Sequence, residues 1–211
     1  MRLVLASNNA KKLMEMRALF QGLPLELVAQ GELGITEAEE PHLTFLENAL
    51  AKARHAARAS GGAAIADDSG LCVQALGGAP GVISAHFAEL PEGADSGDRE
   101  ARRRAQDAAN NALLLQRLVS CEDRRAAFVS TLVALRHADD PEPLVAFGRW
   151  PGRILQTPSG VGGFGYDPLL FIPALGASVA ELDAATKNAH SHRALAAAQM
   201  RQLLQEAWAL G

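Results

Sequence analysis

The alternation of apolar and polar positions divides the chain into short apolar runs and longer segments of helical period. Residues 2–6 form the first apolar run and predict an opening strand; Leu13, Met16, Ala18, Leu19 and Phe20 then recur at helical spacing. Residues 25–29 predict a second strand, and 31–41 a loop carrying Glu37, Glu39 and Glu40. Thr44-Phe45-Leu46-Glu47 has the spacing of a capping box and opens a helix to Ser60, with Gly61-Gly62 as its stop. Its apolar face reads as Leu43, Leu46, Leu50, Ala53 and Ala57. Asn48 and Lys52 lie four residues apart on one face, and ordinary amphipathicity leaves them in solvent.

An apolar run, 63–66, then enters Asp67-Asp68-Ser69-Gly70, which predicts a strand that ends at two acids. Leu76-Gly77-Gly78-Ala79-Pro80-Gly81 requires a non-regular backbone, and 89–98 predicts a polar, flexible loop. Residues 99–119 predict a helix whose core face is Leu113, Leu114, Leu115 and Leu118, with Arg102-Arg103-Arg104 on a solvated face beside Glu100 and Asp107. Residues 126–137 predict a long strand and 144–148 its partner, a hairpin ending near Trp150-Pro151-Gly152. A last helix starts at Ser191, with Leu195, Met200, Leu203, Leu204 and Trp208 as core. Strand–helix alternation followed by a hairpin indicates an α/β fold on a mixed sheet.

Composition narrows the function classes. A chain of 211 residues suits one large domain or one domain in two lobes, and 48% hydrophobic with 21% charged residues is ordinary for a soluble protein. The net charge of −4 argues against general binding to nucleic acid, which shows as a basic patch. Cys72 and Cys121 make neither a disulfide framework nor a zinc set. The opening apolar run is too short for a signal peptide and no stretch approaches a membrane span, so no membrane partner is expected and the cytoplasm is the default compartment.

Three segments carry candidate chemistry. Ser7-Asn8-Asn9-Ala10-Lys11-Lys12 sits between strand and helix, where free N–H groups and two lysines favour phosphate; a Ser or Asn N-cap with two solvated lysines is the plainer reading. Asp67 and Asp68 suit a divalent cation, since Mg²⁺ prefers oxygen ligands, or they simply cap a turn. Gly160-Val161-Gly162-Gly163-Phe164-Gly165 matches the dinucleotide-binding string, but Tyr166-Asp167-Pro168 follows where a helix would have to open. Such a loop brings Phe164, Tyr166 and Asp167 together and suits a flat base. His190 and His192 lack the four-residue spacing of a helical metal pair, which discounts zinc, and His192-Arg193 offers donors for an anion or a base.

With these segments in order, the chain resembles the inosine triphosphate pyrophosphatase family. The resemblance rests on 7–12, Asn48-Ala49 with Lys52-Ala53, 66–71, 76–81, 163–168 and Ser191-His192-Arg193, and spans nearly the whole chain. It implies an elongated mixed sheet flanked by helices, in two lobes around a central cleft, with residues 1–211 as a single domain. It also implies hydrolysis of ITP, dITP and XTP to the monophosphate and pyrophosphate, with Mg²⁺ and as a homodimer. Asp68 would be general base and metal ligand, and one of Glu39 and Glu40 the second ligand. Ser7, Asn8, Asn9, Ala10, Lys11 and Lys12, with Lys52 and Ser69, would hold the triphosphate, with Lys12 and Lys52 meeting the charge of the leaving group. Phe164, Gly165, Tyr166, Asp167, Lys187, His192 and Arg193 would hold the base and sugar. Two alternatives stay open: a pyrophosphatase for modified pyrimidine triphosphates, and a nucleotide-binding module without catalysis. Val82-Ile83-Ser84-Ala85-His86 departs from the family's usual aromatic followed by Ser-Ala-Arg, and the region from 89 into the following helix looks longer than usual.

Overall fold

Arg2–Leu5 is a strand (β1) because its side chains alternate between two apolar environments. Leu3 and Leu5 face one core, Val4 the other. The structure is a computed structural model that describes residues 1–90 and 98–210. Its strands are β1, β2 (Glu26–Ala29), β3 (Ala64–Val73), β4 (Arg125–Leu135), β5 (Leu144–Ile154), β6 (Leu170–Ile172) and β7 (Ala177–Ser178). They form one sheet in the order β2-β1-β3-β4-β5-β6-β7. β1 pairs in parallel with β2 and β3, whereas β6 is antiparallel to β5 and β7, so the sheet is mixed as expected. The helices are α1 (Ala10–Leu19), α2 (Phe45–Ser60), α3 (Arg99–Arg117), α4 (Ala184–His190) and α5 (His192–Trp208). Among the described residues no helix is long and apolar enough to cross a membrane.

Contacts divide the chain into two compact units: residues 1–69, 130–149 and 188–211, and residues 70–129 and 150–187. In the first unit both faces of the sheet are covered. On one face Leu3, Leu5, Ile65, Leu132 and Ala146 pack with Met16 of α1, Phe20 at its C-cap, and Ala197, Met200 and Leu204 of α5. On the other, Val4, Ala64, Ala66, Val133 and Leu135 pack with Ala49, Ala53, Ala56 and Ala57 of α2. Two buried faces are what parallel strands require. In the second unit Leu71, Val73, Leu114, Leu118, Phe128, Trp150, Tyr166 and Leu170 share one core.

Several expectations need correction. β3 does not end at the acids: Asp67 and Asp68 lie inside a strand that continues to Val73. The buried stripe of α2 is Asn48, Ala49, Lys52, Ala53, Ala56 and Ala57, while Leu43 is 90% exposed and Leu46 faces solvent. Alanines let a helix approach a sheet closely, so the neighbouring Asn48 and Lys52 are buried with them, and apolar size was a poor guide to the face. β5 runs on through Trp150-Pro151-Gly152 to Ile154, β6, β7 and α4 were not expected, and Leu195 is exposed. Most of the 89–98 loop (residues 91–97) lies outside the described residues.

Candidate functional site

Successive residues of a strand point to opposite faces, so Asp67 and Asp68 cannot do the same work. Asp67 shares its face with Ile65, under α1 and α5; Asp68 shares its face with Ala64 and Ala66, under α2. From α1, Lys12 Nζ meets Asp67 Oδ2 at 2.8 Å and the Asp67 carbonyl at 3.2 Å. From α5, Arg193 Nε donates to the same carboxylate oxygen at 3.1 Å, Nη1 to Glu15 at 2.9 Å and Nη2 to Ser69 Oγ at 2.8 Å. Ser69 and Ser130 hydroxyls donate to Oδ2 and Oδ1. Burial alone would raise the Asp67 carboxyl, but the charges of Lys12 and Arg193 and the hydrogen bonds from Lys12 and Ser130 hold it well below the usual carboxylate range. Burial lowers the Lys12 ammonium despite Asp67, helped by the charges of Arg193 and Lys52. Asp67 therefore organises cations.

Asp68 has a different environment. Lys52 Nζ donates to its Oδ1 at 2.7 Å and to Glu40 at 3.0 Å, while Asp68 Oδ2 is buried with no hydrogen-bond partner. Burial pushes the Asp68 carboxyl up to about 6; Lys52 opposes the rise and the Glu40 carboxylate adds to it. Burial also disfavours the Lys52 ammonium, but Asp68 and Glu40 more than offset this and raise it. Burial works against Glu40 likewise, and Lys52 draws its carboxyl below the ordinary value. Asn48 positions Glu40: its side chain accepts from the His42 N–H at 3.0 Å and donates to the His42 carbonyl at 3.1 Å, tying down the loop two residues on. Glu39 is exposed. Among the described residues no cluster of three or more His, Cys, Asp or Glu makes a cage. A magnesium site does not need one, because substrate phosphates and water complete the shell around one or two carboxylates. An acceptor without a donor, beside a second carboxylate, fits that chemistry.

Asn9 is the N-cap of α1, its side chain accepting from the Lys11 and Lys12 N–H groups at 3.1 and 3.2 Å, and Ser7 Oγ accepts from Asn9 N–H. Asn8 Oδ1 is buried with no partner. Ala10 opens the helix, and Lys11 and Lys12 occupy its first turn as expected.

In the second unit, Phe164 N–H donates to Asp167 Oδ2 at 3.0 Å, and Lys187 Nζ meets the same oxygen at 2.9 Å. The Phe164 ring carries two cations, Lys187 Nζ at 4.8 Å and the Arg103 guanidinium at 4.9 Å from its centroid. Tyr166 lies in the core. Its ring is buried in the second unit's core and its hydroxyl donates to the Ser84 carbonyl at 2.8 Å, so it is committed to packing; burial raises it well above an ordinary phenol. The Gly-rich loop precedes no helix, in agreement with rejection of the dinucleotide motif; Gly163 has φ +74°, and a Cβ there would overlap the Asp167 carboxylate. His192 is buried at the start of α5. Arg193 donates to Asp67, Glu15 and Ser69. Arg103, Asp107 and Asn111 were missed; an i, i+4, i+8 spacing inside a basic, solvated-looking helix was the available signal. Glu15 and Ser130 gave none.

Comparison with known proteins identifies the family and the fold. The model of the Ham1 family matches residues 3–203. The chain is 69% identical over 210 residues to a dITP/XTP pyrophosphatase of Methylibium petroleiphilum, covering 99% of both chains. It is 68% identical over 211 residues to a dITP/XTP pyrophosphatase of Leptothrix cholodnii, covering 100% of both. Among solved structures, a HAM1 protein from Coxiella burnetii superposes with a TM-score of 0.86 at 39% identity, covering 98% of this chain and 99% of that one.

Proposed function

The chain belongs to the Ham1 family, and on that premise we propose that it hydrolyses deaminated purine nucleoside triphosphates, dITP, ITP and XTP, to the monophosphate and pyrophosphate. The observation that carries the reading is the division of labour on β3. One carboxylate is saturated with cations. The next has a carboxyl raised to about 6, a lysine at 2.7 Å and an oxygen with no donor.

Hydrolysis of a phosphoanhydride needs a base for water and positive charge for the pyrophosphate that leaves. Asp68, ionised above about pH 6, has the proton affinity of a base working near neutrality. Its oxygen without a donor is the acceptor for a water proton. Lys52, held charged by Asp68 and Glu40, and Lys12, oriented by Asp67, meet the negative charge of the triphosphate. Asp68 and Glu40 would hold Mg²⁺, which when bound neutralises phosphate charge. Phe164 offers a ring on which the base stacks, and Asp167 holds its backbone. Donors facing the 6-oxo group discriminate against adenine, because a buried donor left unpaired costs about 1–3 kcal/mol. Residues 1–211 are read as one domain in two lobes, and the protein as a cytoplasmic homodimer.

The test is pyrophosphate release from dITP, XTP, dATP and dGTP, with a panel of modified pyrimidine triphosphates in parallel, with Mg²⁺ and then with EDTA. Preferential turnover of dITP and XTP, lost in EDTA and restored by Mg²⁺, is expected. Turnover of dITP and XTP that is absent, or no faster than that of dATP and dGTP, would refute the reading. A preference for the pyrimidines, or tight dITP binding without product, would favour the two alternatives.

A further inference from the structure

Helix α3 carries three side chains at intervals of four, Arg103, Asp107 and Asn111, and all three end on the same two residues of the Gly-rich turn. Asp107 Oδ2 accepts from the Gly165 N–H at 2.9 Å, and Asn111 Nδ2 donates to the Gly165 carbonyl at 3.0 Å. Both backbone groups of one residue are thus held by side chains one helical turn apart. The Phe164 backbone is held from within the turn: its N–H by Asp167 Oδ2 at 3.0 Å, its carbonyl by the Asp167 N–H at 3.2 Å. Gly165 takes φ +61°, which frees the peptide to face the helix. Arg103 then lies over the Phe164 ring at 4.9 Å, with its Nη2 buried and without an acceptor, so the ring is the contact that accounts for its place.

We propose that the Arg103–Asp107–Asn111 face of α3 is a positioning device for Phe164, and that it sets affinity for the base of the nucleotide without taking part in the chemistry. The proposal rests on the reading of Phe164 as the base-stacking residue. A ring that must present one face to a flat ligand needs its backbone and its tilt held before the ligand arrives, since ordering a loop on binding lowers affinity. Two hydrogen bonds to Gly165 hold the backbone, and Arg103, with Lys187, holds the ring.

The test compares Asp107→Ala, Asp107→Asn and Arg103→Gln with Phe164→Ala, reading KM and kcat for dITP and inhibition by inorganic tripolyphosphate, which has no base. Asp107→Ala should raise KM for dITP about tenfold, within the range of one base-stacking contact. Its kcat and its tripolyphosphate inhibition should stay within about twofold. Asp107→Asn keeps an acceptor for the Gly165 N–H and should restore KM. Arg103→Gln should raise KM in the same way. Weaker inhibition by tripolyphosphate in Asp107→Ala, or no rescue by Asn, would overturn the proposal in favour of general destabilisation. Phe164→Ala separates the two levels. If it leaves KM unchanged, the stacking reading has failed; if it raises KM while Asp107→Ala and Arg103→Gln do not, only the positioning role has.

Discussion

Asp67 is the residue whose replacement tests the physical account most fully. The residue is 1% exposed, and its Oδ2 takes Lys12 at 2.8 Å, Arg193 at 3.1 Å and Ser69 at 3.1 Å. Asp67→Asn keeps the shape and removes the charge. Arg193 retains Glu15, but Lys12 loses the anion beside it. Removing one partner of a buried pair costs about 3–5 kcal/mol; with an amide oxygen still present, the low end, about 3 kcal/mol, is expected at pH 7. The pH dependence follows from the direction of the shift. The folded carboxyl lies below its unfolded value of 3.8, so its contribution is complete above that value and is lost as pH falls through the folded one. The gap between wild type and variant should therefore be about 1 kcal/mol smaller at pH 3 than at pH 7. Urea unfolding at both pH values measures it. Adding Lys12→Met to Asp67→Asn should recover about 1–2 kcal/mol, because the uncompensated cation is gone. A loss under about 1 kcal/mol at pH 7, or an equal gap at both pH values, would refute the cation-organising role.

Two further predictions concern packing and titration. At Gly148 a Cβ would overlap the His192 carbonyl oxygen and crowd the Ala196 N–H, so β5 and α5 can meet only over a glycine; Gly148→Ala should cost about 3 kcal/mol in urea unfolding, at the upper end of overpacking, and an unchanged midpoint would contradict the contact. Asp68 has the opposite sign to Asp67. A carboxyl raised from 3.8 to about 6 in the fold withdraws stability as pH climbs through that window, about 3 kcal/mol in all. Stability of Asp68→Asn relative to wild type should thus rise between pH 4 and pH 7, while wild-type kcat/KM falls about tenfold per pH unit below about 6; a flat profile in either would refute the shifted base.

Much of the fold was legible because β1, α1 and the capped start of α2 have strong local signals: a short apolar run, a polar loop with a cap, and Thr44 three residues before Glu47. What escaped was set by packing. The alanine stripe of α2 carries little hydrophobic signal, yet it brings the helix close enough to bury Lys52 and Asn48. Asp67 and Asp68 look equivalent as a dipeptide, and only the covering of both sheet faces gives one to α1 and α5 and the other to α2. Arg103 read as a solvated charge because its partner, Phe164, lies 61 residues away in the chain. Tyr166 read as a base contact because the loop around it is Gly-rich, whereas its hydroxyl is committed to the Ser84 carbonyl.

Asp68→Asn decides whether Asp68, and not Asp67, is the base. Pyrophosphate release from dITP in Mg²⁺ should fall by about 10²–10⁴-fold, the usual contribution of a positioned base. The affinity for dITP, read by calorimetry on the same protein, should stay within about threefold, because Lys12, Lys52 and Phe164 are untouched. An Asp68→Asn protein that keeps a tenth or more of its turnover (about a tenfold loss at most), or one that loses dITP binding and turnover together, would contradict the assignment.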